Sequence, residues 1–207
     1  MAARRTAQDR KAQIVAEMLR LADEIGPDRL STMDVARAVG VSQPAIFRHF
    51  PTKGALWLAV AEDIATRLQE TWAAAEAQAV TPEARIRALI GAQLMAISVT
   101  PALPSILFSR ELQVDNPALR DVFRGLLATF QGRIVAAIRA RQAMGALNPK
   151  ISPEDVAVLL TALVQGVAIR WTLGARGFAL VDEGLRLLDV QMELLRTREG
   201  ASHDHIG

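Results

Sequence analysis

Gln43, Arg48 and Lys53 carry the side-chain chemistry of nucleic-acid recognition within eleven residues of one another. A glutamine amide can make a bidentate contact to adenine and an arginine to guanine. Between them Pro44, Ala45 and Phe47 offer apolar surface for a thymine methyl or a sugar. Lys53 is a phosphate ligand by charge, and Thr32 and His49 add donors that a phosphate oxygen accepts. Groups suited to catalysis are sparse by comparison. There is no cysteine, and the three histidines are His49, His203 and His205, the last two in a polar stretch near the C-terminus. Glu62 and Asp63 are neighbours in sequence, about 100° apart on a helix, and do not face each other as an acid–base pair. No glycine-rich phosphate cradle occurs, and His203-Asp204-His205 is better explained as a polar tail than as a metal site. The chain is therefore expected to be a binding protein and not an enzyme, with no cofactor and no metal.

The elements that must position these groups are legible around them. Ser31 followed by Asp34 is a helix start of the capping-box kind, with Val35, Ala36 and Val39 as its apolar face and Gly40 as its stop. Ser42 then reads as the N-cap of a second short helix, with Val41 and Ile46 at the hydrophobic-staple positions and Pro44 in the first turn. Two short helices joined by a tight turn containing glycine form a helix-turn-helix, whose second helix enters the DNA major groove. Ile46 and Phe50, four residues apart, face the core. Gln43, Pro44, Phe47 and Arg48 are left on the outside. A blander alternative stands beside this one: Phe47 packs on the first helix and Gln43 is simply solvated. Thr52 caps a third helix whose first turn holds Lys53, a cation that opposes the helix dipole unless a phosphate binds there.

The run T-M-D-V-A-R-A-V-G-V-S-Q-P-A-I-F-R-H-F-P-T-K-G-A-L, from Thr32 to Leu56, resembles the TetR family of bacterial transcriptional regulators. It joins a T-x-x-[IVA]-A pattern, a G-V-[ST] turn, an aromatic-x-H-F signature and K-x-x-L, and it covers roughly the first quarter of the chain. The resemblance implies an all-helical homodimer in which each subunit has a DNA-reading domain and a larger effector-binding domain. It places Gln43, Pro44, Ala45 and Phe47 near bases and Thr32, Ser42, His49 and Lys53 near phosphates. Position 47 is usually Tyr in the family. Phe47 lacks that hydroxyl.

Composition agrees on its own terms. Of 207 residues, 51% are hydrophobic and 22% charged, which excludes a disordered chain and implies a substantial core. Net charge is +2 overall, but residues 1–55 carry nine Lys/Arg against six Asp/Glu and the remainder fifteen against sixteen. The basic excess includes Arg4, Arg5, Arg10 and Lys11, which as a flexible arm would add phosphate contacts and as a solvated tail would do nothing. No signal peptide is apparent. Ala88 to Ser109 is uncharged and long enough to span a bilayer, yet Pro101 and Pro104 divide it, so a buried helix and a turn are expected. The protein is expected to be cytoplasmic and not to engage a membrane.

Helical periodicity prevails throughout and no strand-like alternation stands out. Helices are predicted near 8–25, 31–39, 42–49, 53–78, 82–99, 103–113, 117–144, 153–174 and 181–197. The expected architecture is all-α: an N-terminal three-helix helix-turn-helix domain over 1–55, and a larger C-terminal ligand-binding and dimerisation domain over 56–207. Leu185, Leu188, Met192 and Leu195 are spaced as a helix-pair seam, and Leu159, Ala162, Gly166, Ile169 and Leu173 form a face with small residues at its middle. These nine are the predicted dimer contacts, with intrachain packing as the alternative. An effector pocket should be apolar with a few polar groups. Its candidates are Met95, Phe108, Phe123, Leu127, Phe130, Gln165 and Trp171, and the lack of Tyr favours a hydrophobic or amphipathic ligand. The functional expectation is a ligand-responsive repressor that binds a pseudo-palindromic double-stranded DNA operator as a homodimer. The alternative is an activator or DNA-binding protein governed by a protein partner.

Overall fold

A computed structural model describes residues 6–196. Among these the chain forms ten α-helices and no strand: α1 (Ala7–Ile25), α2 (Thr32–Val39), α3 (Gln43–His49), α4 (Lys53–Ala77), α5 (Pro82–Val99), α6 (Ala102–Phe108), α7 (Arg110–Asp115), α8 (Pro117–Ala143), α9 (Pro153–Leu173) and α10 (Leu180–Leu194). The all-α expectation holds. The boundaries follow local chemistry. Ser31 and Asp34 close a reciprocal capping box at α2, and Gly40 ends that helix in the left-handed conformation at φ 73°. Thr6 and Asp9 make the same box at α1. Thr52, Thr81 and Ser152 cap α4, α5 and α9 by accepting from Ala55, Ala84 and Asp155 N–H.

Two boundaries depart from expectation. The segment predicted as one helix over 103–113 is two, because Ser109 is extended (ψ 108°) and caps α7 by accepting from Leu112 N–H at 3.0 Å. Its hydroxyl also donates to Asp28 in the loop between α1 and α2, and this long-range bond specifies the break. At the other end α10 stops at Leu194 instead of 197. Arg10 and Lys11 lie on α1 rather than on an arm; Lys11 sits 5.8 Å above the Phe50 ring. Arg4, Arg5, His203, Asp204 and His205 fall outside the described residues.

The chain forms two compact units that interleave along the sequence. One runs to Thr71 and takes in Ala96–Ala128; the other comprises Trp72–Met95 and the chain from Thr129 onward. In the first unit, Ile14 and Met18 of α1, Val35 of α2, Ile46 of α3 and Leu56 and Trp57 of α4 are buried together with Ile106 of α6. In the second, Ile86, Leu89, Ile90 and Leu94 of α5, Ile134 and Ile138 of α8, Leu160 and Val164 of α9 and Leu188 of α10 make the core. Trp72 belongs to this core, tilted at 37° against Phe130 with ring centroids 4.9 Å apart, and its Nε1–H donates to Gln93 Oε1. Helix α9 is long and apolar enough to cross a membrane, but 44% of its most apolar window is buried by neighbouring helices. It is a core helix with one apolar face left outward.

Candidate nucleic-acid interface

Ile46 is wholly buried, and α3 is pinned to the first unit by it and by Phe50 just past its end. That anchoring turns Pro44, Phe47 and Arg48 to solvent and leaves Gln43, Ala45 and His49 half-buried. Phe47 is 39% exposed, so its ring is not absorbed into the packing against α2. Lys53 is exposed in the first turn of α4, a turn with no acidic side chain. Ser42 is the N-cap of α3 by backbone geometry, without a side-chain capping bond, contrary to the sequence expectation. The reason is Pro44 at the second helical position. It removes one first-turn N–H that a cap would satisfy and frees the hydroxyl for an outside acceptor.

Thr32 departs most from expectation. It is only 6% exposed, and its Oγ1 accepts from Gln43 Nε2 at 2.8 Å. The two first residues of α2 and α3 are thus tied together, and Gln43 is neither simply solvated nor free. The hydroxyl expected at a phosphate is engaged inside the unit. Met33, at the second position of α2, is 52% exposed and was overlooked in the sequence, where a methionine in a helical run reads as core.

The residues expected to form an effector pocket are divided between the two units. Phe108, Phe123 and Leu127 lie in the first unit, and Met95, Phe130, Gln165 and Trp171 in the second. Phe123, Phe130 and Trp171 are buried, whereas Met95, Phe108 and Leu127 have substantial exposure. Trp171 donates its Nε1–H to Phe178 O and so fixes the loop between α9 and α10. Arg170 pairs with Glu183 at 3.4 Å and lies 5.5 Å from the Phe178 ring.

The predicted dimer contacts divide by helix. On α9, Leu159, Ala162, Gly166, Ile169 and Leu173 are all exposed, Leu173 by 83%. On α10, Leu188, Met192 and Leu195 are buried within the second unit and Leu185 is half-buried, so the α10 seam is corrected. The outward apolar residues there are Val190 and Leu194, with Leu187 half-buried beside them. The reason is Gly184, which lets α10 approach α5 so closely that a Cβ at 184 would lie 2.3 Å from Leu94 Cδ1. That contact turns the 188/192/195 row inward.

The profile of the tetR family of bacterial regulatory proteins matches residues 14–60. That of the C-terminal domain of BetI-type transcriptional repressors matches residues 82–193, more than half of the chain. The chain belongs to the TetR family. Among relatives of this TetR-family regulator, the nucleoid occlusion factor SlmA of Vibrio atlanticus (strain LGP32) is 27% identical over 154 residues, covering 74% of this chain and 78% of the relative. The HTH-type transcriptional regulator EthR of Mycolicibacterium smegmatis (strain ATCC 700084 / mc(2)155) is 26% identical over 162 residues, 78% of this chain and 74% of that one. A transcriptional regulator of Saccharomonospora viridis, solved in complex with choline, superposes with a TM-score of 0.82 at 22% identity, over 92% of this chain and all of the other. The TetR-family assignment makes the protein a DNA-binding transcriptional regulator, with α2 and α3 as its helix-turn-helix.

Proposed function

We propose that this TetR-family protein is a cytoplasmic, ligand-responsive repressor that binds a pseudo-palindromic operator as a homodimer, and has no catalytic role. Work is divided near residue 55, with DNA reading before it and effector binding and dimerisation after it. The observation that carries the reading is the outward set on one unit: Pro44, Phe47 and Arg48 exposed on α3, Gln43 at its start and Lys53 on the first turn of α4. Gln43 and Arg48 would read base edges, Pro44, Ala45 and Phe47 would press on methyls and sugars, and Ser42, His49 and Lys53 would hold phosphates. The homodimer is supported by the apolar α9 row with Leu187, Val190 and Leu194 beside it. A Cβ at Gly166 would meet nothing within 4 Å in the chain, so packing within the subunit does not account for this glycine; close approach of a second copy does. Two copies would set their α3 helices in successive major grooves, about 34 Å apart or more.

The effector would be a small hydrophobic or amphipathic molecule bound among the helices after α4, with Met95, Phe108, Phe123, Leu127, Phe130, Gln165 and Trp171 as candidates for its surroundings. Choline in the Saccharomonospora viridis regulator makes quaternary amines a sensible first class to screen. Coupling is simple linkage: a ligand that prefers a dimer spacing unsuited to the operator weakens DNA binding, and DNA weakens ligand binding by the same factor.

Fluorescence anisotropy with labelled DNA from upstream of the protein's own gene tests the reading. Saturable binding that survives competitor DNA, weakens with salt and is released by a compound that raises the melting temperature would support it. Equal weak binding to that DNA and to a scrambled duplex, together with weak, unselective binding across a random-sequence pool, would overturn it. A second reading, regulation by a protein partner, draws on relatives named nucleoid occlusion factors. It predicts a melting temperature unmoved by small molecules.

A further inference from the structure

We propose that Thr32 is a positioning residue for base recognition: it holds the Gln43 amide in the orientation that reads an adenine. This rests on the reading of Gln43 as a base-contacting residue. The supporting geometry is the 2.8 Å bond from Gln43 Nε2 to Thr32 Oγ1, which links the first residue of α2 to the first residue of α3. Both ends are fixed from behind. The start of α2 is set by the Ser31–Asp34 capping box, and α3 has Pro44 in its first turn and Ile46 fully buried one turn on.

A primary amide has two N–H donors and one carbonyl. With one N–H given to Thr32, the second N–H and Oε1 remain, and these are the donor and acceptor that adenine N7 and N6 require. An unanchored surface glutamine must lose the freedom of three side-chain torsions when it binds, and it can present its amide either way round. Thr32 removes much of that freedom in advance. Its β-branched side chain is stiff at χ1, and at 6% exposure it is held by its neighbours, so its hydroxyl is a rigid reference point.

The experiment is a binding selection from a random-sequence duplex pool with the full-length protein and with Thr32→Val, Thr32→Ser and Gln43→Ala. Anisotropy on the selected site over a salt series, and a thermal melt of each variant, complete it. Wild type should select an adenine at one position of each half-site, and Gln43→Ala should lose that preference by on the order of tenfold. Thr32→Val, which keeps the branched shape, should weaken preference at that same position several-fold, with the other positions and the salt slope unchanged; Thr32→Ser, which keeps the hydroxyl without the branched stiffness, should fall between Thr32→Val and wild type. If Thr32→Val instead lowers affinity for all sequences alike, with no loss confined to that position, Thr32 acts as a phosphate ligand and the proposal is wrong. A Thr32→Val protein indistinguishable from wild type also overturns it. If Gln43→Ala leaves every base preference intact, the underlying reading of Gln43 fails and the role of Thr32 falls with it. Should the melt show Thr32→Val unfolded, Thr32→Ala provides the same comparison.

Discussion

At the scale of single residues, the helix-turn-helix separates groups that hold the fold from groups kept for DNA. Lys53, exposed in the first turn of α4, is proposed to be of the second kind. As a cation in the first turn of α4 it opposes the helix dipole and costs a few tenths of a kcal/mol, up to about 1, which a bound phosphate reverses. Lys53→Ala should therefore raise the melting temperature slightly while weakening operator binding and reducing the magnitude of the salt slope by about one, read from anisotropy at several salt concentrations. Phe47→Tyr should act oppositely on DNA: the added hydroxyl at this exposed position gains a phosphate contact and tightens binding several-fold. Asp34 belongs to the first kind. Hydrogen bonds from the Ser31 hydroxyl and backbone N–H, with a smaller contribution from Arg37, hold its carboxyl below the usual carboxylate range. A lowered folded pKa means that the stabilising contribution is present above the unfolded value and is lost as pH falls through the folded one. The stability gap between wild type and Asp34→Asn should stay constant from neutral pH down to the carboxylate range and close below it, as followed by denaturant unfolding.

At the scale of elements, the glycines of α9 and α10 report opposite relations to their surroundings. Gly184 is buried where α10 meets α5, and an added Cβ would press on Leu94, itself fully buried. Gly184→Ala should cost about 1–3 kcal/mol in chemical denaturation through overpacking. Gly166 faces open space, so Gly166→Ala should stabilise an isolated subunit by about 1 kcal/mol through helix propensity and yet weaken dimerisation if a second helix approaches there. Measured together by denaturation and by sedimentation at several concentrations, the two variants separate intrachain from interchain packing. Ser109 shows the limit of local reading. A serine in an apolar helical run reads as tolerated, yet its bond to Asp28 across eighty-one positions of sequence divides the predicted helix into α6 and α7.

For the whole molecule, the proposed function depends on association. Leu173 and Leu194 are 83% and 75% exposed, a large apolar area for a chain to leave in water. Leu173→Glu should yield a monomer by size-exclusion chromatography that remains folded by circular dichroism. Its operator affinity should fall steeply, because a lone helix-turn-helix loses the second half-site and with it the effective concentration the dimer supplies.

What the sequence determined by itself was whatever depends on residues close along the chain. The capping box at Ser31–Asp34, the Gly40 stop, the Pro44 turn and the Ile46/Phe50 anchor are all local, and with them came the helix-turn-helix, the all-helical class and the outward position of Phe47 and Arg48. Tertiary structure decided what depends on residues far apart. Apolar periodicity shows that a helix has a buried face, but two apolar rows on α10 fit that requirement, and only the close approach at Gly184 chose 188/192/195 for the interior and left 190 and 194 on the surface with 187 half-buried. In the same way, nothing in the chain between them announces that Thr32 and Gln43 will meet. The turn at Gly40 brings the two helix starts together, and a residue suited to a phosphate becomes a partner of the residue beside it in space.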